Sequence, residues 1–145
     1  MSKRAERADI LHRSGYSCAQ AVACAFDDVI GLSEKQIAAL LSGYGGGFRT
    51  GEFCGVLSGA IMVLGARWPH TEPGDSYTKQ LAAKKVKDFQ KKFVEKFDLV
   101  RCEDIKKLPA KPEHSPTALE LGLQSACAVY IVAAVEIVEE MLAEE

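Results

Sequence analysis

Apolar residues recur along this chain every three to four positions, which is the spacing of amphipathic helices. The spacing predicts a short helix over residues 5–13, with Ile10 and Leu11 facing the interior. It also predicts a longer helix over residues 18–30, for which Ser17 has the side chain and position of an N-cap. The N-terminal part of the chain is therefore expected to be helical.

Three more helices are predicted farther along the chain. Ser33 and Gln36 have capping-box spacing and open a short helix. Asp75 or Ser76 caps a long polar helix that ends near residue 97, and a last helix is predicted over residues 117–143. No stretch alternates like a strand between hairpin turns. With the helix behind the glycine-rich loop described next, the predicted fold class is all-α, a single-domain bundle of five or six helices over residues 1–145.

Glycines crowd residues 43–51 and indicate an irregular loop, because glycine adopts backbone angles that a side chain blocks. The apolar segment behind it, residues 52–66, is predicted to be a helix with Cys54 in or near its first turn. Unpaired N–H groups and the positive end of the helix dipole would lower the pKa of the Cys54 thiol there. Gly55 and Gly59 give this helix a small-residue face, which another helix or a ligand can approach closely.

The glycine-rich loop lacks the features of a nucleotide-binding loop. It contains no Gly-Lys-Ser/Thr sequence, and no predicted strand precedes it. We interpret the glycines as residues that let the loop close over Cys54, or over a ligand bound there.

The composition is that of an ordinary globular domain, with 48% hydrophobic residues, 26% charged residues and a formal net charge of -2. This balance gives no reason to expect nucleic acid or an anionic membrane as a partner. The longest apolar runs, residues 55–66 and 126–135, are shorter than the roughly 20 residues that span a bilayer. The charged N-terminus lacks an apolar signal segment. These features predict a cytoplasmic protein, and they leave a homo-oligomer open.

Four of the five cysteines lie on four different predicted elements: Cys18, Cys54, Cys102 and Cys127. A reducing compartment does not favour a structural disulfide framework, and an odd count leaves one cysteine unpaired in any scheme. The absence of a CxxC pair excludes local zinc-ribbon and thioredoxin-type motifs. Any shared site must therefore be built by tertiary packing. Cys24 lies on a different side of its predicted helix from Cys18, and we assign it to structure.

The surroundings of the individual cysteines differ. Cys18 and Cys127 lie on apolar helix faces, where burial in the core is the simplest interpretation of either one alone. Cys102 lies in an irregular segment over residues 98–108 and is expected to be accessible, with Arg101 beside it to favour its thiolate. The three histidines are scattered without a metal-binding spacing and are interpreted as surface or loop residues.

The chain resembles the small bacterial and archaeal proteins named for a Cys…Cys-Gly-Ala-x-x-Gly…Cys…Cys pattern, which are described as redox-active. Cys18 in Ser-Cys-Ala-Gln-Ala-Val matches the first cysteine, and Cys54 opens the central block, with Val56 where the pattern has alanine. By order and context, Cys102 and Cys127 match the third and fourth cysteines, while Cys24 lies outside the pattern. The resemblance implies a redox-active set of these four cysteines, centred on Cys54.

Three hypotheses follow from the cysteine quartet. The first is a thiol redox protein of the thiol oxidoreductase type, in which Cys54 and one partner cycle between dithiol and disulfide without a cofactor and act on an unidentified redox partner. The second is a zinc or iron–sulfur site held by Cys18, Cys54, Cys102 and Cys127, since both take four thiolates. The third is a non-catalytic helical module whose cysteines fill its core. The first hypothesis requires two quartet cysteines close together, and the second requires all four sulfurs to converge.

Overall fold

The computed structural model describes residues 1–98 and 100–144 of the chain. Its helices are α1 (Lys3–Arg13), α2 (Cys18–Cys24), α3 (Asp27–Ile30), α4 (Glu34–Leu40), α5 (Gly55–Arg67), α6 (Ser76–Phe97), α7 (Cys102–Ile105), α8 (Pro116–Leu121) and α9 (Ala126–Ala143). Six of these have seven residues or more, and the described residues form no strand beyond one isolated β-bridge. The predicted all-α bundle of five or six helices is confirmed.

Side chains at the predicted positions cap three helices. The Ser17 hydroxyl accepts from the Gln20 N–H and the Gln20 amide oxygen accepts from the Ser17 N–H, which completes a capping box at the start of α2. Ser33 and Gln36 form the same reciprocal pair at α4. Asp75 accepts from the Thr78 N–H at α6. These contacts fix where α2, α4 and α6 begin.

The helix predicted over residues 18–30 is divided into α2 and α3. The break lies at Ala25 and Phe26, where Phe26 leaves the helical region with φ -112° and ψ 30°. Arg4 accounts for it, because its guanidinium donates to the Ala25 carbonyl at 2.8 Å and lies 4.5 Å from the centre of the buried Phe26 ring. A side chain of α1 thus bonds to the Ala25 carbonyl, which in a continuous helix would accept a backbone N–H.

The helix predicted over residues 117–143 is also divided. Gly122 ends α8 with a left-handed φ of 65°, which glycine adopts at little cost. The Ser125 hydroxyl then accepts from the Ala128 N–H and starts α9. Cys127 consequently lies in the first turn of α9 rather than in the middle of a long helix.

The inward face predicted for α1 is also partly wrong. Ala5 and Ala8 are fully buried, whereas Ile10 is 46% exposed and Leu11 only packs partly against the core. Small side chains on this face let α1 pack closely against α9. The hydrophobic core surrounds α9, which packs against α1, α2, α5, α6 and α8.

Two glycines bring α2 and α5 into backbone contact. A Cβ on Gly59 would lie 2.5 Å from the carbonyl oxygen of Ala19, and one on Gly55 would lie 3.2 Å from the Ala19 nitrogen. The predicted small-residue face of α5 is therefore covered by a helix. Because Ala19 follows Cys18 and Gly55 follows Cys54, the same contact places these two cysteines close to each other.

None of the helices described is both long enough and apolar enough to cross a membrane.

Candidate functional site

The structure gathers four cysteines around one cavity of about 300 Å³: Cys18, Cys54, Cys102 and Cys127. Each stands where a helix begins, as the first residue of α2, the N-cap of α5, the first residue of α7 and the second residue of α9. All four are free thiols. Elements far apart in the sequence thus contribute one thiol each to the same cavity.

Cys24 stands apart from this group. Its side chain is fully buried, and its thiol donates to the Glu34 carbonyl at 3.5 Å. Burial raises the pKa of Cys24 to about 11, so the thiol stays protonated near neutral pH. This environment agrees with a structural role.

Cys18 and Cys127 both line the cavity, and each of the two thiols shifts the pKa of the other. The hydrogen bond from Cys18, helped by the positive charge of Lys106, outweighs burial and lowers the pKa of Cys127 to about 6. The same hydrogen bond raises the pKa of Cys18, since Cys18 keeps the proton that the two sulfurs share. The first turn of the 18-residue helix α9 also favours a negative charge at Cys127. At neutral pH the pair therefore holds one thiolate, on Cys127, and one thiol, on Cys18.

His12 lies beside this pair, although no sequence motif predicts it there. Its Nε2 is 3.9 Å from the Cys18 sulfur, and its ring lines the cavity. Burial lowers the pKa of His12, so its imidazole is neutral at pH 7 and can accept a proton. The turn at Ser14 and Gly15 folds the end of α1 back towards α2, and Gly15 has a φ of 120° there. His12 reaches the cavity because of this turn. No residue spacing typical of a metal or catalytic site marks such a turn in the sequence.

Cys54 and Cys102 are joined through the backbone. Phe53 and Arg101 face each other in an isolated antiparallel bridge, in which the Cys54 N–H donates to the Val100 carbonyl at 2.7 Å and the Cys102 N–H donates to the Glu52 carbonyl at 2.6 Å. Residues next to a facing pair point to the opposite side of the bridge. The two cysteines therefore lie diagonally on one side of it, and both line the cavity.

The pKa of Cys54 is opposite to the one predicted. The backbone N–H groups of Val56 and Leu57 do lower the pKa of its thiol, as expected at the start of a helix. Burial outweighs them, because the residue is only 4% exposed, and it raises the pKa of Cys54 to about 12. Cys54 is thus a protonated thiol in this structure.

The expectations for Cys102 and Arg101 are also wrong. Cys102 is 8% exposed because the glycine-rich loop covers it, and its Cβ lies 2.9 Å from where a Gly47 Cβ would be. Arg101 pairs with carboxylates instead of a thiolate: Glu52 at 3.2 Å, Glu103 at 3.5 Å and Asp104 at 3.5 Å. The cation that faces the thiols from this region is Lys106. The predicted segment over residues 98–108 also includes Leu99, which lies outside the described residues.

The glycine-rich loop places a second cation, Arg49, at the cavity. Its backbone conformation is unusual. Gly46, Gly47, Phe48 and Arg49 have left-handed φ values of 60–66° in succession. Glycine tolerates these angles, whereas each of the other two residues costs about 1–3 kcal/mol there. The path of the loop brings Arg49 to the cavity, where its guanidinium donates to the Ser42 carbonyl at 3.1 Å.

Tyr130 completes the wall of the cavity. The side chain is fully buried, yet its hydroxyl has no hydrogen-bond partner among the described residues. It lies three positions after Cys127 on α9, so both face the same side of that helix. Tyr130 belongs to no motif in the sequence, and a single tyrosine on an apolar helix carries no local signal that it lines a cavity.

Comparison with known proteins gives one match. A family model described as "Putative redox-active protein (C_GCAxxG_C_C)" matches residues 16–141. Its name writes the central block as Gly-Cys-Ala-x-x-Gly, whereas in this chain Cys54 precedes Gly55. No curated protein and no solved structure shows significant similarity to the chain. Within the described part of the chain, no group of three or more His, Cys, Asp or Glu residues is arranged to hold a metal ion.

Proposed function

The chain belongs to the redox-active C_GCAxxG_C_C family, and from that membership we propose that it performs thiol–disulfide exchange with Cys18 and Cys127 as its redox pair. The observation that carries the proposal is that these two free thiols line the same cavity, where each shifts the pKa of the other. The lowered pKa of Cys127 favours its thiolate, which is the reactive form of cysteine, and Cys18 supplies the second thiol that a disulfide requires.

The exchange proceeds in two steps. The Cys127 thiolate attacks one sulfur of a substrate disulfide, and the other substrate sulfur leaves as a thiolate. Cys18 then gives its proton to Nε2 of His12 and attacks the Cys127 sulfur, which releases the second half of the substrate as a thiolate that takes the proton from His12. The substrate disulfide gains two electrons, and the protein acquires a Cys18–Cys127 disulfide.

Cys54 and Cys102 have a different place in this proposal. The sequence suggested Cys54 as the attacking thiolate, but its raised pKa favours a thiol that reacts later. Cys54 lines the same cavity as Cys102, and the two thiols are candidates for a second dithiol that oxidises after the Cys18–Cys127 pair.

The proposal is tested by titrating the fully reduced protein anaerobically with 2-hydroxyethyl disulfide, alkylating it and mapping its disulfides by mass spectrometry. We expect a Cys18–Cys127 disulfide to form in the wild type and in Cys24→Ala, which removes a thiol outside the cavity. We expect His12→Gln to slow closure of this disulfide while alkylation of Cys127 keeps its rate. Random pairing that includes Cys24, or no disulfide at all, would refute the proposal.

A metal or iron–sulfur site is the second candidate, because four thiols around one cavity are the donor set that zinc and such clusters use. Cys18, Cys54, Cys102 and Cys127 would have to move closer together to hold it. Metal analysis and absorption spectra of anaerobically purified protein test this candidate. Stoichiometric iron or zinc that is lost in Cys54→Ser and retained in Cys24→Ala would favour it over the dithiol. The cytoplasmic location, the redox partner and the oligomeric state stay predictions.

A further inference from the structure

The buried hydroxyl of Tyr130 points to a ligand in the cavity. Its ring is held by Phe93, 5.4 Å away edge to face, and by Phe97, 4.2 Å away, so the hydroxyl cannot turn to another partner. Buried polar groups in folded proteins are nearly always hydrogen-bonded, and leaving one without a partner costs about 1–3 kcal/mol. A donor without an acceptor in the wall of a cavity therefore indicates an acceptor on a bound molecule.

Two cations indicate the charge of that molecule. Arg49 and Lys106 both line the cavity, and neither forms an ion pair with a carboxylate among the described residues. Arg101 and Lys107 nearby do form such pairs, with Glu103 as a shared partner. The two positive charges of Arg49 and Lys106 exceed the single negative charge of the Cys127 thiolate, which favours an anionic ligand.

The dimensions of the site indicate the size of the molecule. The thiols surround about 300 Å³, and an adjoining cavity of about 440 Å³ shares Gly46, Arg49, Cys102 and Lys106 with it. These volumes are those of small-molecule sites.

We propose that the cavity binds a low-molecular-weight disulfide that carries carboxylates, which Arg49 and Lys106 pair with and to which the Tyr130 hydroxyl donates. The inference rests on the proposed function, for which it names the substrate class. The substrate disulfide is the oxidant of the exchange already described and leaves as two thiols. Its carboxylates bind and do not react.

The test uses three disulfides with the same two-carbon arms and different charge: 3,3′-dithiodipropionate, 2-hydroxyethyl disulfide and cystamine. Oxidation of the reduced protein by each is followed as loss of the Cys18 and Cys127 thiols. Each rate is divided by the rate at which dithiothreitol reduces the same compound, which removes differences in intrinsic reactivity. We expect the dianion to react at least about tenfold faster than the dication, with the neutral disulfide between them, because charge of one sign in a cleft concentrates the opposite charge.

Variants assign the preference to particular residues. Arg49→Gln and Lys106→Gln should each reduce the preference for the dianion about threefold, as should salt at about 0.5 M, which screens exposed charges. Lys87→Gln removes an exposed lysine of α6 outside both cavities and should leave the preference unchanged. Tyr130→Phe should weaken the preference without lowering stability, because the hydroxyl has no partner to lose in the fold.

The outcomes separate the two proposals. Equal normalised rates for the three disulfides, together with a Cys18–Cys127 disulfide in each case, would overturn this inference and leave the exchange function standing. No such disulfide with any of the three compounds would overturn both. A Tyr130→Phe variant that is destabilised but keeps the full preference would remove the hydroxyl from the binding site.

Discussion

Cys127 shows how one hydrogen bond and one helix start can decide the chemistry of a thiol. Its counterpart Cys54 also lies where a helix begins, yet the two pKa values move in opposite directions. Burial raises the pKa of Cys54 more than the helix start lowers it. The pKa of Cys127 is lowered because the Cys18 thiol is its donor and Lys106 is a nearby cation. A position at a helix N-terminus is therefore insufficient to predict a reactive cysteine.

We expect Cys18 to control the pKa of Cys127. The rate of alkylation of Cys127 by iodoacetamide should rise through about pH 6 and then level off, because only the thiolate reacts. In Cys18→Ala the midpoint should move upward by about one to two pH units, since a hydrogen bond to a charged group contributes about 1.5–3 kcal/mol and one pH unit corresponds to about 1.4 kcal/mol. Peptide mass spectrometry measures the rate at Cys127 alone.

Two controls accompany this measurement. Cys18→Ser keeps a hydroxyl donor and should shift the midpoint less than Cys18→Ala does. Cys24→Ala lies outside the cavity and should not shift it. A midpoint near pH 9 in the wild type would show that the thiolate is not stabilised as described.

At the scale of helices, the contact between α2 and α5 determines the position of Cys18 relative to Cys54. Gly59→Ala should lower the free energy of unfolding by about 1–3 kcal/mol, because its Cβ would lie 2.5 Å from the Ala19 carbonyl oxygen and the helices would have to separate. The same variant should slow Cys18–Cys127 disulfide formation, since α2 carries Cys18. Urea denaturation and the anaerobic titration measure the two effects.

Gly65 provides a matched control on the same helix. A Cβ there meets nothing within 4 Å, so Gly65→Ala should stabilise the protein by about 0.5–1 kcal/mol through helix propensity and leave the disulfide unchanged. Equal effects of the two substitutions would contradict the close contact at Gly59.

The sequence predicted some of these elements well and others poorly, for identifiable reasons. The N-cap at Ser17, the capping box at Ser33 and the small face of α5 are local features, and all three were predicted. The break at Ala25 depends on Arg4 of another helix, which a local pattern does not contain. The break before Cys127 had local signals in Gly122 and Ser125, but continuous apolar spacing concealed them.

At the scale of the whole molecule, the same distinction applies to the site. The four cysteines could be named from the sequence, since the family pattern spans most of the chain. Three other residues at the cavity could not be named from the sequence: His12, Arg49 and Tyr130. Their positions depend on the turn after α1, the left-handed loop and the packing of α9, which only the folded structure defines. Burial, which raised the pKa of Cys54, is likewise a property of the assembled core.

The proposed Cys18–Cys127 disulfide should change the stability of the whole protein. Cys18 and Cys127 are separated by most of the chain, and a disulfide that closes a loop of roughly 100 residues restricts the unfolded state by up to about 4.7 kcal/mol. The oxidised protein should therefore unfold at a higher urea concentration than the reduced protein. In Cys18→Ser the difference should disappear, whereas in Cys24→Ala it should persist. Equal midpoints in the oxidised and reduced wild type would contradict a bond between these two residues.

The crossing of α2 and α5 has one more consequence. Peptide atoms rather than side chains meet where Gly59 contacts Ala19, so the separation of the two helices there follows from covalent backbone dimensions. Side chains elsewhere in the core can exchange and repack without changing it. The spacing between the helix starts that carry Cys18 and Cys54 therefore does not drift gradually as core residues are substituted: it is kept while glycine occupies the crossing and lost in a single step when a larger residue replaces it.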